Sequence, residues 1–468
     1  MFKNYLKIAW RNIFRNKVRS AIHILGLSIG IAICFLIFNV VTHSYSFDRF
    51  HPDVARIYRI NSVTDWGGVG AFIISGTPGP LGEVIQDEIP GISLKGRLYT
   101  GYNTLVADPA NSKTFGRSDK VTFADEGFFQ IFPRTWLAGN PKTALQQPNS
   151  LVISEASLHK YFPGSQASDV LGKELMFVEA DSILAQITGV VADFTENSDF
   201  IFQDFISFST IQTDEIKEWY GLHEWSSVNS SSQLFVKLNP TVDVKSINES
   251  FAPLVEKHFK AEDDSKTSFF AEPVTEMHFS QNYADDHVSK VFLNGLISIG
   301  LIILVLASLN FINLETAQAI NRAKEVGIRK TIGGSRGELI LQFLSETFLL
   351  ILISTVLAMV FVEGLRLSFA SYLPQDFTLD FLSNFNLIFY LSFPLALTLV
   401  TGIYPSLILS GYQAQRALKG EFSKSGKFSL GVFLRKNLTV LQFASSIAFI
   451  ILVLVLNSQL RFVTSQPL

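Results

Sequence analysis

A single cysteine, Cys34, in 468 residues excludes a disulfide-built secreted fold. Charge is scarce as well: ionisable Asp, Glu, Lys and Arg make up 17% of the chain, against about 25% in an ordinary soluble protein. A net charge of −3 argues against a nucleic-acid partner, and the apolar content argues against disorder. No G-x-x-x-x-G-K-[ST] loop is present; Gly172-Lys173 is followed by Glu174 and Gly426-Lys427 by Phe428, so no nucleotide phosphate is cradled. The eight histidines, at 23, 43, 51, 159, 223, 258, 278 and 287, form neither an H-E-x-x-H pair nor a Cys/His cluster. A G-x-S-x-G elbow is also missing. The chain reads as non-catalytic, with no metal or cofactor of its own.

What the chain has is apolar surface. Hydrophobic residues reach 48%, with 42 Phe, and the mean hydropathy is +0.29. Its charges are partitioned. Residues 1–43 hold 6 Lys/Arg and no acid, residues 44–289 hold 18 against 33 Asp/Glu, and residues 290–468 hold 14 against 8. An acidic middle long enough for its own core is flanked by basic, membrane-like ends.

Five segments meet the length of about 20 apolar residues that a bilayer requires. They are Ser20–Phe47, Val291–Leu314, a stretch within Leu339–Tyr372, a stretch within Phe381–Gln415 and Asn437–Leu460. Pro394 and Pro405 in the fourth are expected to kink or end it. Basic flanks alternate: residues 1–20 carry 6 Lys/Arg, 315–340 carry 5 and 411–437 carry 6, whereas 373–385 carries none. The positive-inside rule then puts the N-terminus in the cytoplasm and the acidic middle outside.

Residues 2–18 space Phe2, Tyr5, Leu6, Ala9, Trp10, Ile13 and Phe14 at helical intervals, with Lys3, Lys7, Arg11 and Arg15 on another face. This predicts a helix lying in the inner interface, the plainer reading being a basic topology tag. Gly26 and Gly30 form a GxxxG, which is either a helix-packing site or a common membrane-helix pattern. The segment 315–340 should extend the second span as a helix, with Glu325 and Arg329 paired at i,i+4 and Gly333-Gly334 as a stop. Either it docks a cytoplasmic partner or it is a solvated loop.

At these residues the sequence resembles the FtsX-like permeases, the membrane subunits of MacB-type ABC transporters. The likeness rests on Glu325-Val-Gly-Ile-Arg-Lys330, Ile332-Gly333-x-Ser335-Arg336 and Gln342-Phe-Leu344-x-Glu346. Upstream, Asn4-x-Leu6-Lys7-x-Ala9-x-Arg11-Asn12, Phe47-Asp48-x-Phe50-His51 and Ile57-Tyr58-Arg59-Ile60 are similar to its large-permease branch. Phe128-Phe129-x-Ile131-Phe132, Gly139-Asn140-Pro141, Ser150–Ser154, Leu171-Gly172-Lys173 and Gly189-Val190-Val191-x-Asp193 resemble its periplasmic core domain. The family's D-x-P-x-N-S-H run is altered here: Thr195 stands for the proline and Asp199 for the histidine.

The resemblance implies a membrane α-helical bundle of about five spans with a large α+β extracytoplasmic domain. Its parts would be an interfacial helix (1–19), a first span (20–47), the periplasmic core domain (48–289) and a three-span FtsX-like domain (290–410). That last domain would contain the coupling helix (315–340), and a cytoplasmic linker (411–437) and a fifth span (438–460) would follow. Leu434-Arg-Lys-Asn437 weakly echoes Arg11-Asn12, as if a second repeat began there and the product were cut at Leu468. The implied setting is a bacterial inner membrane. The implied partners are a separate ABC ATP-binding subunit that holds ATP and Mg²⁺, a second permease half or identical copy, and a periplasmic adaptor. Arg322, Glu325, Gly327, Ile328, Arg329 and Lys330 are the expected ATPase-coupling residues, with Gly26 and Gly30 as packing residues. Export of a peptide, lipophilic compound or lipoprotein is the leading function. The alternatives are regulation of a periplasmic cell-wall hydrolase by the same mechanical route, or a membrane-anchored sensor. The sensor is disfavoured because the inner loops are too short for an output domain.

Overall fold

The computed structural model describes residues 2–65, 70–179, 182–212, 220–259, 266–280, 288–374, 377–379, 381, 384–411 and 430–465. The chain divides into two units, His43–Lys290 and a helical one made of Met1–Thr42 with Val291–Leu468.

The helical unit is built from α1 (Phe2–Arg15) and α2 (Lys17–Ser46), which ends in the other unit. Helices α7 (Lys290–Thr331), α8 (Arg336–Ser368), α9 (Asn384–Gly411) and α10 (Leu430–Ser465) follow the intervening unit. Among the described residues four stretches are long and apolar enough to cross a membrane: Lys17–Ser46, Lys290–Ala317, Arg336–Ser368 and Asn386–Gly411. The expected fifth span falls in α10, where the apolar stretch is Phe443–Gln459. Most of the linker expected at 411–437 lies outside the described residues. Neither Pro394 nor Pro405 ends α9. The hydroxyl of Thr398 donates to the Pro394 carbonyl at 2.7 Å, the i−4 bond that serines and threonines of helices commonly make.

The first helix stops four residues before the expected boundary at 19. The backbone ladder carries on through Asn16, which bonds to the Asn12 carbonyl and accepts from Ser20. Yet the Ser20 hydroxyl reaches the Ile13 carbonyl at 3.2 Å, seven residues back. A straight helix would separate those positions by about 10 Å, so the chain bends here. Ala9 and Ile13 are buried in the helical unit while Trp10 and Phe14 stay exposed, their rings 5.0 Å apart.

Of the two glycines of the GxxxG, one lies where α2 packs closely on α7. A Cβ on Gly30 would come within 2.9 Å of the Ala307 Cβ, whereas one on Gly26 would stand 4.0 Å from Asn310. Cys34 is a packing residue in this seam, with its thiol donating to the Gly300 carbonyl at 3.2 Å.

Among its described residues the other unit is a mixed sheet of thirteen strands. They are β1 (Ile57–Asp65), β2 (Ala71–Ile74), β3 (Ile92–Thr100), β4 (Thr104–Asp108), β5 (Lys113–Ser118), β6 (Val121–Ala124) and β7 (Trp136–Gly139). After them come β8 (Ser150–Ser154), β9 (Glu174–Val178), β10 (Ser182–Val191), β11 (Asp204–Ser207), β12 (Ser232–Leu238) and β13 (Lys266–Pro273). The order is β13-β1-β12-β3-β6-β11-β8-β10-β9-β4-β5, with β2 on β1 and β7 on β10. Among the described residues four α-helices decorate it, α3 (Gly79–Glu88), α4 (Glu126–Ile131), α5 (Glu155–Tyr161) and α6 (Val244–His258), together with short 3₁₀ turns such as Val274–Phe279. An α+β domain was the expectation, and a sheet-rich one is found.

β8 is buried along its whole length and lies between parallel β10 and antiparallel β11. That burial on both faces is why it reads as a continuous apolar run instead of alternating. The Phe128-Phe129-x-Ile131-Phe132 motif is α4, whose N-cap Asp125 accepts from the Phe128 amide. Its aromatics pack with Phe200, Phe205 and Phe235 into one of the unit's cores. α4 sits so close to β3 that a Cβ on Gly96 would come within 2.8 Å of the Phe128 backbone.

Candidate functional site

The segment that the sequence singles out, 315–340, is not one helix. α7 runs unbroken to Thr331 and α8 begins at Arg336. The stop is a Schellman turn: the Gly334 amide bonds the Arg329 carbonyl at 3.0 Å and the Gly333 amide the Lys330 carbonyl at 3.1 Å. Gly333 has φ 99°, a backbone that suits glycine. The restart is a capping box. Ser335 accepts from the Glu338 amide, and the Glu338 carboxylate accepts from the Ser335 amide. Only four residues, 332–335, separate the two helices, so they form a tight hairpin.

Its inside is a small apolar cluster of Val326, Leu339, Phe343 and Leu409, the last from α9. Polar contacts surround it. Arg322 holds Glu346 with two parallel bonds of 2.8 Å, both side chains being largely buried. Arg329 donates to Glu325 at 2.6 Å and also to the Gln342 amide oxygen. Lys330 donates to the Ser410 carbonyl at 2.6 Å and Arg336 to the Ser410 hydroxyl at 3.3 Å. Ser410 is in the last turn of α9, where carbonyls lack helical partners and cations are favoured.

The six expected coupling residues therefore come together, but in different situations. Arg322 is tied into the chain, and Arg329 and Lys330 spend donors on α8 and α9. Gly327 is buried. Ile328, 43% exposed, and Ile332, 81% exposed, are what the hairpin tip presents freely. Nothing in the sequence marks Ile332 as a contact residue, and Gln342 and Glu346 gain their partners, Arg329 and Arg322, only when α8 folds back on α7. The S-x-x-E of Ser335–Glu338 was the legible signal for a new helix start.

Further along α7, Glu315 accepts from Arg19 of α2, and His23 Nε2 lies 3.3 Å from the same carboxylate oxygen. Both acids and Arg322 line a cleft of about 10 Å³ with Phe343, Ser406 and Leu409.

In the sheet-bearing unit, the last turn of α2 is fastened by one carboxylate. Asp48 is fully buried with φ 52°, and it accepts from the Ser198 hydroxyl at 2.5 Å, the Asp199 amide at 3.0 Å and His51 Nε2 at 3.2 Å. Its own amide donates to the Asn197 carbonyl, and the Asn197 side chain donates to Ser46 at 2.7 Å. The altered D-x-P-x-N-S-H run is the partner of this turn. Burial pushes the Asp199 carboxyl above the usual range, opposed by its bond to His278.

The model of the MacB-like periplasmic core domain matches residues 20–254, and that of the FtsX-like permease C-terminal matches 297–417. The uncharacterized ABC transporter permease YvrN of Bacillus subtilis is 20% identical over 436 residues, covering 89% of this chain and 99% of that protein. The macrolide export ATP-binding/permease protein MacB 1 of Yersinia pestis is 25% identical over 409 residues, covering 83% of this chain. The chain spans 55% of that protein's length. A crystallised domain of a permease protein from Porphyromonas gingivalis covers 53% of this chain at 22% identity, with a TM-score of 0.40.

Proposed function

The chain belongs to the ABC transporter permeases of the MacB/FtsX type, and from that membership we propose that it is the transmembrane subunit coupling a separate ATP-binding subunit to movement of residues 48–289. The observation that carries this reading is the hairpin. A docking element needs a rigid backbone and a free apolar tip with charges nearby. Residues 322–342 supply these through a Schellman stop, a capping box, internally paired arginines and the exposed Ile328 and Ile332. ATP and Mg²⁺ would reside on the partner, and this chain would convert closure of that partner into displacement of α7. A second permease half or copy would complete the assembly. We assign the hairpin to the cytoplasmic side from the basic flanks, with the sheet-bearing unit in the periplasm.

Export of a peptide, lipophilic compound or lipoprotein is the cargo reading that best suits a large outer unit on an apolar bundle. The macrolide export named for the Yersinia relatives is consistent with a lipophilic cargo. The test is purification of the tagged full chain in mild detergent from its native cells, with an assay for co-purifying ATP hydrolysis. The reading expects an ATPase that is retained by the wild type and lost from Ile332→Asp. No co-purifying ATPase, or one equally bound by that variant, would overturn it.

A further inference from the structure

Arg322 was among the residues expected on the coupling helix, and its guanidinium is turned inward. Both of its Nη atoms engage Glu346 at 2.8 Å, from a helix stripe that also carries Glu315 two turns earlier. Glu315 is in turn held by Arg19 of α2, with His23 beside it. The side chains of Arg19, Glu315, Arg322 and Glu346 are 17%, 9%, 15% and 9% exposed, so both pairs sit largely out of water. The cleft between them is about 10 Å³, room for a single water at most.

Geometry distinguishes these pairs from ordinary surface ion pairs. A planar guanidinium meeting a carboxylate with two parallel bonds fixes separation and twist together, which a single lysine contact does not. The Arg322–Glu346 fork therefore sets how far α7 is rotated about its own axis against α8. Glu315, on the same face of the same rigid helix, carries that setting to the start of α2.

We propose that Arg19–Glu315 and Arg322–Glu346 form a charge clamp that positions the α7–α8 hairpin and links it to the first span. Arg322 and Glu346 are then positioning residues: they act through the hairpin, not by touching a partner. Glu315 and Arg19 are the route by which a displaced hairpin pulls on α2. The functional meaning of this clamp rests on the docking role proposed above, whereas its existence does not.

The test uses the full chain in lipid nanodiscs, with amide exchange followed by mass spectrometry. Peptides covering residues 316–334 should exchange at least tenfold faster in Glu346→Gln, which keeps shape but removes the charge, and in Arg322→Glu. Peptides from the thirteen-stranded sheet should be unchanged. The exchanged pair Arg322→Glu/Glu346→Arg should return the rate to within threefold of wild type, and Arg322→Lys should fall between. Wild-type rates in the single variants, no recovery in the exchanged pair, or faster exchange along the whole chain would each overturn the clamp. ATPase co-purification on the same samples separates the two ideas. A loosened hairpin that still retains the ATPase leaves the clamp standing and overturns docking. Unchanged exchange with lost ATPase does the reverse.

Discussion

His278 lies flat against Phe47, with ring centroids 3.7 Å apart and planes 17° from parallel, while its Nδ1 donates to Asp199 across 2.8 Å. The chain's way into the sheet-bearing unit, at Phe47, and the last helical turn among that unit's described residues before Lys290, Val274–Phe279, are thus joined face to face. Asp48 stands next to Phe47 and holds the third strand of this knot, residues 197–199.

Asp48→Ala is expected to destabilise this unit by about 3 kcal/mol, because it leaves a hydroxyl, an amide and an imidazole without their shared acceptor in a dry site. Asp48→Asn should lose clearly less. Asparagine keeps an acceptor oxygen and tolerates the positive φ. Unfolding midpoints of the two full-length variants decide this, and equal midpoints would show that the carboxylate does not fasten the turn.

Asp204 predicts a pH dependence. It is fully enclosed, its Oδ2 accepts from the Tyr161 hydroxyl at 2.5 Å, and burial pushes its carboxyl up to about 6. The folded state therefore holds this proton more tightly than the unfolded chain, whose carboxyl titrates near 4. The resulting stabilisation is present below about pH 4 and is lost as pH rises to 6, after which it is flat. Relative to Asp204→Asn, the wild type should lose on the order of 3 kcal/mol across that window. Urea unfolding of both proteins between pH 4 and 7 measures it, and parallel curves would count against a raised carboxyl.

Ser335→Ala removes one half of the capping box and should destabilise the start of α8 by about 1 kcal/mol. Amide exchange at residues 335–339 should rise several-fold with no change in the sheet. A protected Glu338 amide in this variant would mean that the cap contributes nothing.

Gly30 and Gly26 should differ sharply although they share one motif. Gly30→Ala forces its Cβ against Ala307, so a loss of about 1–3 kcal/mol is expected. Gly26→Ala meets only the Asn310 amide at 4.0 Å and should be neutral. Thermal midpoints in detergent distinguish them, and equal sensitivity would mean that the close seam is not at Gly30.

The membrane segments were legible because a run of apolar residues has one common physical meaning at that length. The stop at Gly333 was equally plain, since few residues other than glycine occupy that backbone region. Pairings were harder to read. Arg329 with Glu325 follows from helix periodicity, but Arg322 with Glu346 requires knowing that α8 folds back on α7. Arg19 with Glu315 joins residues 296 positions apart, and no local pattern announces it. The same holds for Asp199. Its departure from the family's histidine becomes intelligible only beside His278, which the fold brings in from 79 residues away.

α7 has 42 residues and no proline. At 1.5 Å per residue it is a rod of about 63 Å, roughly twice the hydrocarbon thickness of a bilayer. A tilt of about 5° around one end sweeps the other through on the order of 5 Å, with every backbone hydrogen bond intact. Under the coupling role proposed above, such a rod would turn a small change of tilt into a large displacement of its far end, and no proline along its length supplies a kink.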